Sequence, residues 1–372
     1  MSDGIRVAVV IGELHSHCGP SVNGIRLARA LHEVGHSVDL LHQTGEDKAG
    51  SDACAFARDG GIALPYCHPL SPALGVAFAR LVREREWEAA IFTVPTSAAL
   101  LSPIARLAGC GTIFVMSTSW NYNAAWIRGA LRLSCRLSID HVVGVSGAIL
   151  DDMVRHGARH PQSSVIYNGV PVPDAAVLDT WRGEVLARLQ LPAGAPVLGT
   201  CGRLDRWKRP IRIMEACAEL AERGLDFSLI VVGDGPERGP MTFYCREQGI
   251  DDRVRFVGWQ DNVFPFLAAM DFFVFHSPDE GFPTVVTEAA RIGLPLVLSD
   301  LPALHEVFAN GTDALYAPAD DIEAYADCMQ RLCEEAQLRE ELGMAARARA
   351  EEHLSVRAMR ERYEELICKV KS

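Results

Sequence analysis

The chain has 372 residues, 49% of them hydrophobic, and a formal net charge of −12. This length is too great for one ordinary hydrophobic core and predicts two domains. The acidic balance argues against a general nucleic-acid-binding protein. The longest apolar runs, such as residues 7–11, have the length of strands, which argues against a membrane-spanning protein.

The cysteines and the N-terminus indicate the cellular compartment. Eleven cysteines are scattered along the chain, and none forms zinc-finger spacing with histidines. Residues 1–4 lead straight into an apolar run and show no secretory signal. We therefore expect a cytoplasmic protein with free thiols.

The first half of the chain alternates strand-length and helix-length segments. Residues 5–11 predict a buried strand, residues 24–34 a helix, and residues 37–41 a second strand, with Gly19 in the intervening loop 12–23. Further strands are expected at residues 89–94, 112–116, 141–145 and 164–167. This alternation indicates an α/β protein with a parallel sheet and helices on both faces.

A turn signal with following prolines at residues 168–173 marks a domain boundary. Beyond it the expected strands are 196–200, 227–232, 254–257, 272–275 and 295–298. We predict a Rossmann-like N-terminal domain over 1–172, a Rossmann-like C-terminal domain over 173–352, and a helix within 353–372 that packs back on the first domain. A ligand is then expected in the cleft between the domains, at the carboxyl ends of the strands.

A basic loop follows the first strand of the second half. Arg203 comes just after the strand, and Lys208 lies near the start of the next helix. Two such cations suit a diphosphate, which Arg binds through two hydrogen bonds and Lys binds as a point charge. A solvated surface loop has the same composition, so the residues alone leave both interpretations open.

Glycines end two more predicted strands. Gly233 begins Gly233-Asp234-Gly235, which either allows a close backbone approach or forms a simple turn. Gly258 precedes Trp259. Backbone groups at this place could contact the base of a nucleotide, or the indole could simply pack at the edge of the domain.

Glu280 and Glu288 flank the most informative turn of the chain. Gly281-Phe282-Pro283 turns sharply into a helix whose first amides are those of Thr284 and Val285. Such amides and the helix dipole favour phosphate oxygens, and Glu288 is close enough to reach a ribose. A capping or turn acid at position 280 and an ordinary glutamate of an amphipathic helix at position 288 are the alternatives.

Together these motifs resemble retaining glycosyltransferase family 4 (glycosyl transferases group 1), which has the GT-B fold. The likeness covers nearly the whole chain and is more specific in the second half. It is carried there by Gly202-Arg203-Leu204 with Lys208, Val232 to Pro236, Phe256-Val257-Gly258, Glu280 to Ala289, Ile292 to Val297 and His305-Glu306-Val307. In the first half it is carried by residues 35–38, Val145-Ser146 and residues 165–170.

The resemblance implies catalytic roles for three residues. Arg203 and Lys208 would hold the donor diphosphate and stabilise charge on the leaving nucleotide. Glu280 would contact the transferred sugar, and Glu288 would bind the ribose. The remaining donor-site positions are Gly19, Gly202, Gly233, Gly258, Gly281, Phe282, Pro283, Thr284 and Val285.

The resemblance also implies a reaction. A hexosyl group would pass, with retention, from a nucleoside-diphosphate sugar to a hydroxyl of a small polar or lipid-linked acceptor. A UDP-linked sugar is our first choice of donor, and N-acetylglucosamine our first choice of sugar. No bound metal is expected, and the sequence has no Asp-x-Asp motif. The departing phosphate would act as the base.

The chain departs from the family pattern in its first half. No histidine follows the strand 112–116, where family members carry one. Either a hydroxyl or the indole of Trp120 replaces its sugar contact, or the correspondence with the family is displaced by several residues here. Cys18-Gly19-Pro20 stands where two adjacent glycines are usual, flanked by His15 and His17. The missing histidine favours one alternative, a non-catalytic sugar-nucleotide-binding subunit. A second alternative is another sugar-nucleotide reaction on the same fold, such as epimerisation. A dinucleotide dehydrogenase is disfavoured, because the first loop lacks Gly-x-Gly-x-x-Gly.

Arginines recur every four residues in a predicted helix within 121–137. They are Arg128, Arg132 and Arg136, and they accompany Trp126, Ile127 and Leu131. An anionic membrane or an anionic acceptor would suit this stripe. We expect a solvated helix face instead, because the stripe is short and the chain is acidic.

Overall fold

The computed structural model describes residues 4–13, 19–43, 56, 62–66, 74–120, 123–192 and 194–371. The chain divides into two compact units, one of Met1–Gly169 with Ser355–Ser372 and one of Val170–Leu354. Over the described ranges, no helix is both long enough and apolar enough to cross a bilayer.

The first unit contains a seven-stranded parallel sheet in the order β3-β2-β1-β4-β5-β6-β7. Its strands are β1 (Arg6–Glu13), β2 (Ser37–Gln43), β3 (Ile62–Tyr66), β4 (Ala89–Phe92), β5 (Gly111–Met116), β6 (His141–Gly144) and β7 (Ser163–Val165). Its helices include α1 (Gly19–Glu33), α2 (Leu74–Arg85), α3 (Pro95–Leu107), α4 (Ala125–Leu137) and α5 (Gly147–Arg155). The strand order reverses between β1 and β4.

The second unit contains a six-stranded parallel sheet in the order β10-β9-β8-β11-β12-β13. Its strands are β8 (Val197–Cys201), β9 (Ser228–Val232), β10 (Val254–Gly258), β11 (Phe272–Phe275), β12 (Leu296–Ser299) and β13 (Leu315–Ala317). Its helices are α6 (Ala175–Leu189), α7 (Ile211–Glu222), α8 (Arg238–Glu247), α9 (Phe264–Ala268), α10 (Thr284–Arg291), α11 (Pro302–His305), α12 (Ile322–Glu334) and α13 (Ala336–His353). Here the strand order reverses between β8 and β11.

Continuous apolar runs explain why most of the strands are readable in the sequence. Residues 7–11 of β1 are fully buried, and so is nearly all of β9. A strand covered on both faces needs apolar side chains at successive positions, not at alternate ones. The predictions of strands at these places are therefore confirmed, with bounds that differ by one or two residues.

Two strands and one helix start differ from the predictions. Both missed strands lie at sheet edges: β3 contains Pro65, which an edge strand tolerates, and β13 has only three residues. The predicted loop 12–23 is also wrong in its second part, because α1 begins at Gly19. Pro20 favours the first helical turn, where its missing N–H has no intrahelical acceptor.

A final helix, α14 (Val356–Val370), completes the first unit, where it packs against α1 and β5. It buries Met359, Tyr363, Leu366 and Ile367, as the amphipathic pattern predicts. After it, Lys371 Nζ lies 2.8 Å from Glu88 Oε1. A Cβ on Gly111 of β5 would lie 2.4 Å from the Val370 carbonyl oxygen, so the backbones approach closely here.

Candidate active site

The predicted residues of the second half lie at the carboxyl ends of four strands. Arg203 and Lys208 follow β8, Gly233 follows β9, Gly258 ends β10, and Glu280 follows β11. β8 and β11 are neighbours at the reversal of strand order. Ligands of open parallel sheets bind at such reversal points, outside the carboxyl ends of the strands.

Lys208 and Glu280 form an ion pair across this reversal point. Lys208 Nζ lies 2.5 Å from Glu280 Oε1, although the residues are 72 positions apart in the chain. The two side chains are only 19% and 16% exposed. The ammonium also lies over the ring of Trp207, 4.9 Å from its centroid. The pair is therefore shielded from much of the solvent, where electrostatic interactions are stronger than in bulk water.

His276 joins the Lys208 turn to the end of β11. Its Nδ1 lies 2.9 Å from the Lys208 carbonyl oxygen, and its Nε2 lies 2.8 Å from the carbonyl oxygen of Ala319. The side chain is buried. Sequence reasoning missed this residue, although its position immediately after a predicted strand was the available signal.

Arg203 has a different environment from Lys208. Its guanidinium pairs with Asp205, at 2.7 Å from Nε and 2.5 Å from the terminal nitrogen, and its side chain is 57% exposed. Within the described ranges, no hydrogen bond or ion pair joins Arg203 to Lys208 or Glu280. The structure thus brings together two of the three predicted catalytic side chains and places the third beside its own carboxylate.

The predicted glycines allow neighbouring loops to touch one another. The Gly233 N–H donates to the Gly258 carbonyl at 2.8 Å. A Cβ on Gly233 would lie 2.0 Å from the Gly202 carbonyl oxygen, and one on Gly235 would lie 2.5 Å from the Leu204 carbonyl oxygen. The close backbone approach expected at Gly233-Asp234-Gly235 is therefore an approach to the loop after β8.

The turn after Glu280 leads into α10 as predicted. This helix begins at Thr284, with Pro283 as its extended N-cap residue. The N–H groups of Val286 and Thr287 both donate to the Pro283 carbonyl, at 3.1 and 3.4 Å. The amides of Thr284 and Val285 lie in the first turn of the helix, before these hydrogen bonds. The positive end of the helix dipole therefore lies beside the Glu280 turn.

Glu288 is a buried residue of α10, only 9% exposed. Burial raises the pKa of the Cys201 thiol at the end of β8, the Glu288 carboxylate raises it further, and Lys208 opposes this rise. Glu288 therefore lies close to the end of β8. The alternative of an ordinary glutamate on the exposed face of an amphipathic helix is wrong.

In the first unit, a small cavity lies at the corresponding reversal point. Its polar lining includes Asn23 of α1, Thr93 after β4, Ser117 after β5 and Asn168. The cavity measures about 20 Å³, which is the size of a single water site. A sugar acceptor does not fit inside it.

The loop after β5 is held by Asp152 of α5. Its Oδ2 accepts hydrogen bonds from the Trp120 N–H at 2.7 Å and the Ser119 hydroxyl at 3.1 Å. Burial opposes ionisation of Asp152, but these hydrogen bonds, with His156 and Arg155, outweigh it and lower the pKa of the carboxyl.

The indole of Trp120 is fully buried and stacks on His156. It is therefore not available to replace the sugar contact of a histidine, and that part of the prediction is wrong. Residues 121 and 122, and both His15 and His17, lie outside the described residues.

Both halves of the chain match known protein families. Residues 22–172 match Glycosyltransferase Family 4, and residues 195–335 match Glycosyl transferases group 1. The lipopolysaccharide core biosynthesis glycosyltransferase LpsE of Rhizobium meliloti is 33% identical over 167 residues, 44% of this chain and 48% of the relative. The 2-deoxystreptamine glucosyltransferase of Streptomyces kanamyceticus is 31% identical over 175 residues, 44% of this chain and 45% of the relative. The chain spans about half the length of the curated relatives it matches.

Solved structures resemble the chain over nearly its whole length. HepE of Anabaena, in complex with UDP and glucose, has a TM-score of 0.81 at 18% identity, covering 98% of this chain and 99% of that one. The lipopolysaccharide outer core galactosyltransferase WaaB has a TM-score of 0.71 at 16% identity, with 98% and 99% coverage. The chain has the GT-B fold and belongs to glycosyltransferase family 4, of the group 1 glycosyl transferases.

Proposed function

We propose that the chain is a retaining glycosyltransferase that moves a hexosyl group from a nucleoside-diphosphate sugar to an acceptor hydroxyl. The shielded Lys208–Glu280 pair at the reversal point of the second sheet is the observation that carries this proposal. It sets a cation for phosphate next to a carboxylate for sugar hydroxyls, in a member of glycosyltransferase family 4.

Each charged group has a distinct role in the proposal. Lys208, assisted by Arg203, stabilises the negative charge that grows on the leaving diphosphate. The N-terminus of α10 adds its amides and dipole to the same phosphates. Glu280 accepts hydrogen bonds from the transferred sugar, and Glu288 accepts them from the ribose.

The proposed reaction exchanges one bond of the anomeric carbon for another. The bond from this carbon to the phosphate oxygen breaks, and a bond to the acceptor oxygen forms on the same face. The acceptor proton passes to the departing phosphate. Lys208, Arg203 and the helix dipole supply the positive charge, so the proposal needs no metal.

The relatives support a UDP-linked donor. HepE was solved with UDP and glucose. An Escherichia coli relative, 26% identical over 55% of this chain, is a UDP-Gal:alpha-D-GlcNAc-diphosphoundecaprenol galactosyltransferase. The N-acetyl-alpha-D-glucosaminyl L-malate synthase of Bacillus anthracis is 31% identical over 38% of this chain. We therefore propose a UDP-sugar donor, UDP-N-acetylglucosamine first, and a small polar or lipid-linked acceptor.

A Glu280→Gln variant tests the proposal. We expect UDP release in the presence of acceptor to fall by about 10²–10³-fold, because a charge-assisted sugar contact is lost. Binding of UDP, measured by calorimetry, should change little. Asp320→Asn is the matched control, because Asp320 pairs with the neighbouring Arg209 at an exposed position; its turnover should stay close to wild type.

The outcomes separate the three hypotheses. Unchanged turnover in Glu280→Gln contradicts the catalytic assignment. If the wild-type protein binds UDP-sugars but releases no UDP with any acceptor, it is a non-catalytic subunit. Conversion of one UDP-sugar into another without acceptor identifies an epimerase.

A further inference from the structure

Helix α4 carries an exposed row of large apolar side chains. Trp126, Leu133 and Leu137 are 48%, 58% and 71% exposed. At about 100° per residue, these three positions lie within roughly 20° of one line along the helix. Three such side chains in one row form a continuous surface feature, unlike isolated exposed leucines, which are common.

The packing of α4 fixes the orientation of this row. The opposite side of the helix is buried through Leu131, Ser134 and Cys135. The Ser134 hydroxyl donates to the Ala99 carbonyl of α3 at 2.9 Å. Because the inner face is held in this way, the row cannot turn inward without breaking the core contacts of the helix.

The same helix is strongly basic. Its 13 residues include three arginines and no acidic residue, in a chain whose net charge is −12. Arg128 donates to the Asn123 carbonyl at 3.0 Å, and Arg132 donates to the His156 carbonyl at 2.9 and 2.6 Å. Arg132 and Arg136 are exposed, and helical spacing places both on one side of the apolar row.

We propose that α4 docks on the surface of an anionic lipid bilayer. In this arrangement Trp126, Leu133 and Leu137 enter the boundary between headgroups and acyl chains, and Arg136 contacts anionic headgroups. Arg132, which is bound to the His156 carbonyl, adds positive charge beside it. Long arginine side chains can place their charges at headgroup level while their stems cover apolar surface. A second copy fits this face less well, because a twofold contact would bring like-charged arginines together.

Vesicle binding tests the proposal on the full chain, independently of transferase activity. We expect co-sedimentation with phosphatidylglycerol vesicles and little with neutral phosphatidylcholine vesicles. The double variant Leu133→Ser, Leu137→Ser should bind at least about tenfold more weakly, because two apolar side chains no longer leave water. Arg136→Gln should bind about fivefold more weakly at low salt, with the difference shrinking at high salt.

Val76→Ser is the matched control, because Val76 is 77% exposed on α2 of the same unit. It should bind vesicles as the wild type does. A blue shift of indole fluorescence on phosphatidylglycerol vesicles should be reduced in Trp126→Phe. Circular dichroism melting checks that each variant is folded.

Three results would overturn the proposal. One is failure of the wild-type protein to bind phosphatidylglycerol vesicles. Another is equal binding by the wild type and the folded double variant. The last is that the wild-type protein self-associates in the analytical ultracentrifuge and the double variant does not, although the double variant still binds vesicles. That result would identify this face as a contact between copies of the chain.

Discussion

Gly233 stands where any side chain would meet a neighbouring loop. Its φ is +123°, and an added Cβ would lie 2.0 Å from the Gly202 carbonyl oxygen, a backbone atom. We expect Gly233→Ala to lower the free energy of unfolding by about 3 kcal/mol, the sum of backbone strain and overpacking. Urea denaturation measures this change.

Gly239→Ala provides the comparison for that variant. Gly239 lies in α8, and an added Cβ there would meet nothing within 4 Å. Alanine should raise the free energy of unfolding by about 0.5–1 kcal/mol, because it restricts the unfolded chain. Should Gly233→Ala prove as stable as wild type yet fail to bind UDP, Gly233 serves the ligand and not the contact between loops.

The places of the candidate-site residues after strands were predictable, but the contacts between these residues were not. Glu280 and Lys208 were predicted separately, each from its place after a strand. Their contact depends on β8 and β11 being neighbours, and no local spacing encodes strand order. The Arg203–Asp205 pair, by contrast, joins residues only two positions apart, so it could have been predicted from the sequence.

At the scale of elements, α14 is attached to the first unit through Glu88. The Glu88 carboxylate accepts from Lys371 at 2.8 Å and from the Arg6 N–H at 3.0 Å. The Lys371 hydrogen bond, followed by that of Arg6, lowers the pKa of Glu88 against the opposing effect of burial. A lowered pKa in the folded state means that this stabilisation is present above the ordinary value of 4.5 and disappears as the pH falls through the folded value.

We therefore expect α14 to loosen in acid. Hydrogen-exchange protection of its amides, corrected for intrinsic rates, should fall as the pH drops below 4.5. Glu88→Gln should show reduced protection already at neutral pH, by about 1 kcal/mol or less. Glu86→Gln is the control, since its carboxylate is 72% exposed and 3.9 Å from Arg6. Equal protection in Glu88→Gln and wild type would show that the apolar face alone holds the helix.

Element prediction succeeded where burial dictates a continuous pattern and missed two of the four edge strands, β3 and β13. Strand β9 is buried at every position and apolar at all but Ser228, whereas β13 has only three residues and β3 is interrupted by a proline. The start of α1 was missed because Gly19-Pro20 is typical of both a turn and a first helical turn.

At the scale of the whole molecule, nucleotide binding should raise the melting temperature. With UDP at about 100 times its dissociation constant, mass action contributes about 2.7 kcal/mol. For a unit of this size that corresponds to roughly 5–10 °C. In a thermal shift assay, we expect UDP to raise the melting temperature more than ADP or GDP does. We expect a metal chelator to leave the increase caused by UDP unchanged. A larger shift with GDP would contradict the proposed base, and loss of the shift with chelator would contradict metal independence.

The alternation of apolar runs was sufficient to predict the α/β class and the two sheets. The contacts of the charged residues of the candidate site could be identified only from the folded structure. The acceptor side stayed least predictable, because its family histidine is missing and its nearest substitute, Trp120, is buried.

The position of α14 has a consequence for biosynthesis. Met359 and Tyr363 of this helix line the cavity at the reversal point of the first sheet. Residues 4–169 emerge from the ribosome before the last wall of their unit, residues 355–371, which follow β13 and α13 in the chain. We therefore expect the first unit to expose the apolar face that α14 covers until residues 355–371 have been synthesised. Chaperone binding to ribosome-bound chains should persist until residues 355–371 are released.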